Sequence, residues 1–518
     1  MKARQIIAGI GAGVSGLAAW DLLQKKHSIL RNYPVLGHAR FALEFIRPEL
    51  QQYFIERNWD GRPYDRDTRS IIYERAKGEH GEQAFGTERD VVEEGYEYLT
   101  HSSFPVPEPQ ETPRVRIGGP ECTKPYDMAL VNVSAMSFGA LSANAIRALN
   151  KGAAMGGFAH DTGEGGLSKY HEENGGDLVW EIGTGYFGAR TKDGAFDPDM
   201  FREKAAKDQV KMVSLKLSQG AKPGIGGVLP GEKVTKEIAE IRNVPEGEKC
   251  VSPSGHTVFS TPKELIQFIG RMRELSGGKP AGFKMCVSSR HEVLAICKAM
   301  LELGSTPDFI IVDGSEGGTG AAPLEFEDHV GTPLTEGLMM WHNALVGSGL
   351  RDRVKLGASG KVAGANDVVK VLIQGADFTN LARSMMMAVG CIQAQKCNTD
   401  KCPVGVATQS QRRQRAIDIP DKSQRVKNYQ ASTVSEAVKM MAAMGVTHPS
   451  ELEPWMLRRI VGRGMSRSYR DLFDWLEEGE LVRGSQFKGW ARDWEAVTAD
   501  SFRVKKGAET TPRWKESK

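Results

Sequence analysis

From Ala129 onward one pattern repeats eight times: a short β-rich run ends in glycine, serine or aspartate, and a helical stretch usually follows. The runs are ALVNVSAM from Ala129, FAHDTG from Phe158, EIGTG from Glu181, VSLKLS from Val213, GFKMCV from Gly282, FIIVDGS from Phe309, VKLGASG from Val354 and FTNLARS from Phe378. Helices are expected over 142–155, 233–242, 262–275, 291–304, 334–346 and 366–373. Alternation of this kind implies a parallel sheet, because each crossover must return the chain to the same edge. Eight units predict an α/β fold, a closed (β/α)8 TIM barrel rather than an open sheet. EIGTG is the weakest of the eight, being short and rich in glycine. Around a barrel assigned to 114–429, residues 1–27 read as a hydrophobic N-terminal helix and 28–113 as a wrapping segment. Residues 430–518 read as a C-terminal helical extension, its basic tail after Arg503 expected to be disordered.

The 58 glycines among 518 residues exceed the usual ~7% and cluster between apolar runs without a period, the mark of tight turns or of backbone brought close to a ligand. With 68 basic against 65 acidic residues, bulk charge gives no footing for nucleic-acid binding. The uncharged run 6–20, IIAGIGAGVSGLAAW, contains GxGxxG at Gly11, Gly13 and Gly16. A dinucleotide fold would need an acid about 20 residues on, yet none occurs between Asp21 and Glu44, and Pro34 breaks the required unit. Two readings of residues 5–23 stay open: a membrane anchor flanked by Lys2, Arg4, Lys25 and Lys26, and a helix packed against protein. No cleavage site of small residues marks a removed signal peptide.

In barrels of this type chemistry sits on the loops after the strands' C-terminal ends, and the polar, glycine-rich motifs lie there. Loops after the seventh and eighth strands usually grip a phosphate. Here they offer Ser359, Gly360 and the charge of Arg383, while Gly317 and Gly318 after the sixth strand let backbone approach closely. Met136 and Ser137, after the first strand, are taken with them as cofactor-facing positions. Lys284 stands in an apolar strand and must pair with something negative or lose its proton. In a flavin barrel it would face the N1–C2=O side of the ring; a structural ion pair is the alternative.

Seven cysteines, an odd number, do not suggest a secreted disulfide framework and fit a reducing, cytosol-facing compartment. Cys391, Cys397 and Cys402 fall in C-x5-C-x4-C followed by Pro403. Three thiolates without a nearby histidine suit an iron–sulfur centre with three iron corners, [3Fe-4S], better than zinc; buried free thiols are the alternative. GCIQAQKCNTDKCPVGVATQ resembles the [3Fe-4S] segment that closes the FMN barrel of glutamate synthase. AMSFGALS, TGEGG, KLSQGAKPGIGGVLPG and DGSEGGTGAAP agree in order with that family, over roughly 114–409.

The resemblance implies FMN, reduction of the 2-iminoglutarate formed from 2-oxoglutarate and ammonia, and electrons relayed through the cluster from a ferredoxin or flavoprotein partner. It places Gln219 and Lys222 in the substrate loop, Arg242 on a substrate carboxylate and Glu164 beside the reacting centre. A dicarboxylate needs such cations, and an imine accepting hydride needs a proton donor, for which Lys222 is the candidate. Lys222 could instead only fix a carboxylate. Two departures stand out. The family commonly reads GEGGQLPG where Ile225 and Val228 stand here, which puts the substrate in question. The glutamine amidotransferase domain has no counterpart, so ammonia, another amine or a separate glutaminase subunit is expected to supply nitrogen. Rival readings are an N-methylglutamate synthase using methylamine and glutamate, and a non-catalytic membrane-associated electron-transfer subunit. The expected location is cytoplasmic, with residues 5–23 available as an anchor on the inner face of the membrane.

Overall fold

The computed structural model describes residues 2–79, 81–462 and 464–505. By contact the chain forms two compact units, 1–70 and 71–518. The larger one carries the barrel. Its strands are β1 (Val131–Val133), β2 (His160–Asp161), β3 (Leu178–Ile182), β4 (Val210–Lys216), β5 (Ala281–Met285), β6 (Phe309–Asp313), β7 (Lys355–Ser359) and β8 (Phe378–Leu381). Each pairs in parallel with the next, and β8 returns to β1 with Thr379 opposite Val131, closing the ring. All eight expected strands are present. The third begins earlier than EIGTG, at Leu178, because LVW supplies the buried, β-favouring residues that the glycines lack.

Helices fall where periodicity put them: Ala143–Gly156, Pro262–Leu275, Arg290–Leu303, Leu334–Gly347 and Ala365–Ile373. Their starts follow local chemistry. Ser142 accepts a hydrogen bond from Ala145 N, and Thr261 with Glu264 forms a capping box ahead of Pro262. The helix expected from residue 233 begins at Lys236 instead, where Thr235 caps it through Ile238 N; residues Gly231–Lys233 form a 3₁₀ turn. TVSEAVKMMAAMGV belongs to a long helix, Ile419–Ala443, packed on Ala143–Gly156. Beyond it Leu457–Gly462 and Met465–Ser468 form a hairpin, and Glu97–Leu99 adds an antiparallel edge. Arg503 to Lys505 are described, but the rest of the tail expected to be disordered lies outside the described residues.

The two ends of the barrel differ. At the strands' N-terminal end an antiparallel hairpin, Arg114–Ile117 with Tyr126–Ala129, forms a plug. Its Ile117 and Met128 join Ala159, Val179, Met212, Phe309 and Phe378 in one apolar cluster. A plugged lower end leaves the C-terminal mouth to chemistry.

The smaller unit is helical: Lys2–Leu23, Ser28–Asn32, His38–Leu50 with a π turn at Gln51–Ile55, and the start of Arg66–Lys77. GAGVSG runs inside the first helix rather than in a turn that opens one, in line with the rejected dinucleotide reading. Ala3–Leu23 is long and apolar enough to cross a membrane.

Candidate active site

Strand pleating alternates side chains, so the last inward residue of each strand points into the mouth. Charged groups occupy several of these places. Lys284 on β5 reaches Glu181 on β3 at 3.2 Å, both deeply buried. Burial opposes the ammonium charge, but Glu181, Asp313 and Asp161 outweigh it and hold Lys284 above the usual lysine range. Asp161 is pushed up to about 8, by burial and by Glu181, against the pull of Lys284. Its Oδ2, Ser214 Oγ on β4 and Asn380 Oδ1 on β8 are buried without a hydrogen-bond partner among the described residues. Sequence reasoning found Lys284 but missed its carboxylate ring. Part of the signal was present, since Glu181 interrupts the apolar run LVWEI and Asp313 ends FIIVD.

Above this layer a second charge cluster gathers around Glu164. Lys216 Nζ, at the end of β4, donates to Glu164 Oε1 at 2.7 Å and also to Gln219 Oε1. Burial works against the Glu164 carboxylate, but Lys216, helped by Lys222 and Arg242, holds it below the usual range. Lys222, only 3% exposed, donates to Ala321 O at 2.9 Å and so spans to the loop after β6. Burial, and then the charge of Lys216, lowers its pKa to about 8, while Glu164 pulls the other way. Lys216 was not singled out from sequence, although it stands in VSLKLS as Lys284 does in GFKMCV.

Gly220 brings the substrate loop against the β6 end. Its N–H donates to Asp313 Oδ2 at 2.9 Å, and a Cβ there would stand 1.9 Å from Gly314 O. The loop's other flank is held by His256. Its Nε2 lies 2.8 Å from Lys216 O, an acceptor only, so that nitrogen carries the proton and Nδ1 accepts from Tyr186 Oη at 3.1 Å. Burial lowers His256 to about 4, which keeps the ring neutral.

Arg242, at the end of its helix, enters the same mouth with 5% exposure. Its Nη2 meets two neutral acceptors, Ser137 Oγ at 3.4 Å and Phe138 O at 3.3 Å, and its Nε has no hydrogen-bond partner among the described residues. The guanidinium lies over the Phe187 ring, 5.2 Å from the centroid. Gly165 makes room for it, since a Cβ there would stand 2.8 Å from Nη2. Val228, one of the departing positions, sits opposite Val251 in a two-residue antiparallel pair.

The expected phosphate loops adjoin one another. Gly314 N donates to Ser359 O at 2.8 Å, Arg383 Nη2 donates to Glu316 O, and Ser359 Oγ lies 3.4 Å from Ser134 Oγ. Gly360 has φ +136, a backbone state that glycine favours, and a Cβ at Gly318 would stand 2.8 Å from Arg383 Cδ. Gly317 N closes a turn onto Gly314 O. Met136 N faces Asp161 O across β1 and β2 at 3.4 Å.

The cysteine segment rests on the loop after β1. Gln409 Nε2 donates to Gly139 O and Leu141 O, and Ser142 N to Val406 O. Buried Lys233 ties Ala140 O at 2.8 Å to Cys397 O at 3.1 Å. Burial raises the Cys391 thiol to about 12, and the neighbouring Cys397 and Cys402 push the same way, so the three thiols share one locality. Among the described residues no group of three or more His, Cys, Asp or Glu side chains is placed to hold a single metal ion.

Residues 109–447 match the family model described as a conserved region in glutamate synthase. The chain is 38% identical over 488 residues to the glutamate synthase large subunit-like protein YerD of Bacillus subtilis, covering 86% of this chain and 92% of that protein. It is 33% identical over 317 residues to the archaeal-type glutamate synthase (NADPH) of Thermotoga neapolitana, covering 61% of this chain and 59% of that one. The archaeal glutamate synthase (NADPH) of Methanocaldococcus jannaschii gives 33% over 316 residues, again 61% and 59%. The chain thus spans under two thirds of the archaeal-type enzymes' length. Among solved structures, a flavocytochrome b2 mutant with benzoylformate matches with a TM-score of 0.43 at 13% identity, covering 90% of this chain and 96% of that one.

Proposed function

The chain belongs to the glutamate synthase family, and from that premise we propose that it reductively aminates 2-oxoglutarate to L-glutamate at the barrel's C-terminal mouth. One observation carries the reading: a buried arginine that forms no ion pair among the described residues, Arg242, faces the same mouth as the Lys216–Glu164 pair and Lys222, with Glu164 acting on it only at longer range. An unpaired buried cation is costly unless an anion arrives to meet it. A dicarboxylate is such an anion.

Each side chain then has a task. Arg242 clamps one substrate carboxylate through its fork of N–H donors. Lys222, with a pKa near 8, holds a proton at neutral pH and gives it to the nitrogen as the C=N bond is reduced. Glu164 holds the Lys216 side chain in place, and Gln219 shares its Nζ. His256 fixes Lys216 from behind through its backbone carbonyl.

The loops after β6, β7 and β8 fit FMN: Arg383 offers charge, and Gly317, Gly318, Ser359 and Gly360 offer backbone at close approach. Met136, Ser137 and Lys284 complete that side. Bound there, FMN would supply hydride to the imine carbon. For Cys391, Cys397 and Cys402 the donor set fits a [3Fe-4S] cluster, which takes one thiolate per iron and so needs them further apart than a single ion does. The cluster would supply one-electron relay from a ferredoxin-like or flavoprotein partner. We take 114–429 as the working barrel and residues 5–23 as a membrane tie that leaves it in the cytoplasm.

A second reading, N-methylglutamate formation from methylamine and glutamate, gains from one position. Val228 replaces a polar family residue and sits in a strand pair beside the mouth, where it offers no side-chain hydrogen bond. The test is an assay of the FMN-supplemented protein on 2-oxoglutarate with ammonia and a chemically reduced dye, run in parallel on glutamate with methylamine. Glutamate formed from ammonia supports the first reading; product from methylamine alone overturns it. Iron counted in parallel should fall to background in Cys397→Ser. Iron at the parent level would remove the cluster from the account.

A further inference from the structure

Helix His38–Leu50 contains no buried residue. Phe45 and Phe54 are each 81% exposed, and Leu43, Ile46, Tyr53 and Ile55 are exposed with them. A short amphipathic helix is normally held to a fold by its apolar face, so a bare one needs another apolar partner.

The pattern is strongly two-sided. Arg40, Glu44, Arg47 and Gln51 follow one another at spacings of four, three and four, which stacks them in a single polar stripe. Phe41, Leu43, Phe45, Ile46, Leu50, Tyr53 and Phe54 lie on the remaining arc, which Glu49 interrupts. Such a helix suits a bilayer surface, its apolar arc at the acyl boundary and its charged stripe in water.

Position argues for lipid over a second protein. The helix follows Ala3–Leu23, the segment long and apolar enough to span, after the single short helix Ser28–Asn32. A fixed elbow joins the two: buried Asp21 accepts from Val35 N at 2.8 Å and meets His38 Nε2 at 2.9 Å, while the His27 and Phe41 rings lie 5.1 Å apart. The elbow therefore places the start of the bare helix, at His38, beside the C-terminal end of the first helix. Residues 24–62 carry seven Lys or Arg against four Asp or Glu, which complements anionic headgroups. Trp20, Tyr33, Tyr53 and Trp59, all exposed, are residue types that settle at the membrane–water boundary.

We infer that residues 38–55 form an in-plane interfacial helix that lies on an anionic lipid surface beside the anchor. This rests on the reading of residues 5–23 as a membrane tie and adds a second, separately testable contact. The full chain is reconstituted in phosphatidylcholine–phosphatidylglycerol vesicles with p-benzoylphenylalanine at Ile10, Phe45 or Arg47, one site at a time. After illumination, phospholipid adducts are expected at Ile10 and Phe45, several-fold above the yield at Arg47 on the polar stripe. An adduct at Ile10 but none at Phe45 overturns the interfacial helix and spares the anchor. A cross-linked dimer at Phe45 assigns the face to a second copy and also overturns it. No lipid adduct at either site sinks both.

Discussion

Two arginines are buried at opposite ends of the barrel, and their surroundings differ. Arg273, at the plugged end, donates from Nε to Asp308 at 2.8 Å, from Nη1 to Glu121 at 2.7 Å and from Nη2 to Thr306 O at 2.5 Å. Every face of that guanidinium is satisfied, and Asp308 in turn accepts from Gly119 N in the plug. Arg242, at the open end, is as deeply buried yet has two long contacts to neutral oxygens and an orphaned Nε. A charge with its counter-ions supplied serves the fold; a charge without them spends stability on something that arrives later.

The largest expected effect sharpens this contrast. Arg273→Met should cost about 3–5 kcal/mol in denaturant unfolding, because it strips buried Asp308 of its cation. Arg242→Met removes a charge that has no ion pair and only longer-range attraction to Glu164, and should stay within about 1 kcal/mol of the parent. Equal losses at both sites would break the comparison. Next in size is Lys222→Arg. As proton donor, Lys222 must be protonated, so the rate should fall as pH rises through about 8. Arginine keeps the charge but cannot give up its proton, and kcat should drop about 10²–10⁴-fold with that alkaline limb lost. A variant with unchanged kcat would reduce Lys222 to a carboxylate anchor.

Much of this was legible in the sequence, for reasons that differ by element. The eight strands stood out because apolar runs ending in Gly, Ser or Asp recur with helical stretches between them, and a parallel barrel needs that order. Arg242, Lys222, Gln219 and Glu164 came from motif resemblance, and the fold brings them to one mouth. Lys216 and the ring of Asp161, Glu181 and Asp313 escaped notice, since each is one charge in a short strand and only barrel closure makes them neighbours. The bare face of residues 38–55 was also missed: local periodicity reports an apolar arc but not whether anything covers it. The three cysteines were visible by spacing alone, whereas Lys233, which ties their segment to the β1 loop, gave no local sign.

The smallest effect tests the chain of charge within the mouth. Glu164 raises the pKa of Lys222, so Glu164→Gln should lower it further and move the alkaline limb of the rate profile toward neutral pH. A limb that stays in place would uncouple the two residues.

The most direct test is ligand-linked stability of the purified protein with and without saturating 2-oxoglutarate. The parent should be stabilised, by about 2.7 kcal/mol at a hundredfold excess over Kd. Arg242→Met should lose most of that gain while its unliganded stability stays near the parent's. If 2-oxoglutarate stabilises parent and variant alike, the open-end arginine is not the carboxylate clamp, and the account of the mouth fails.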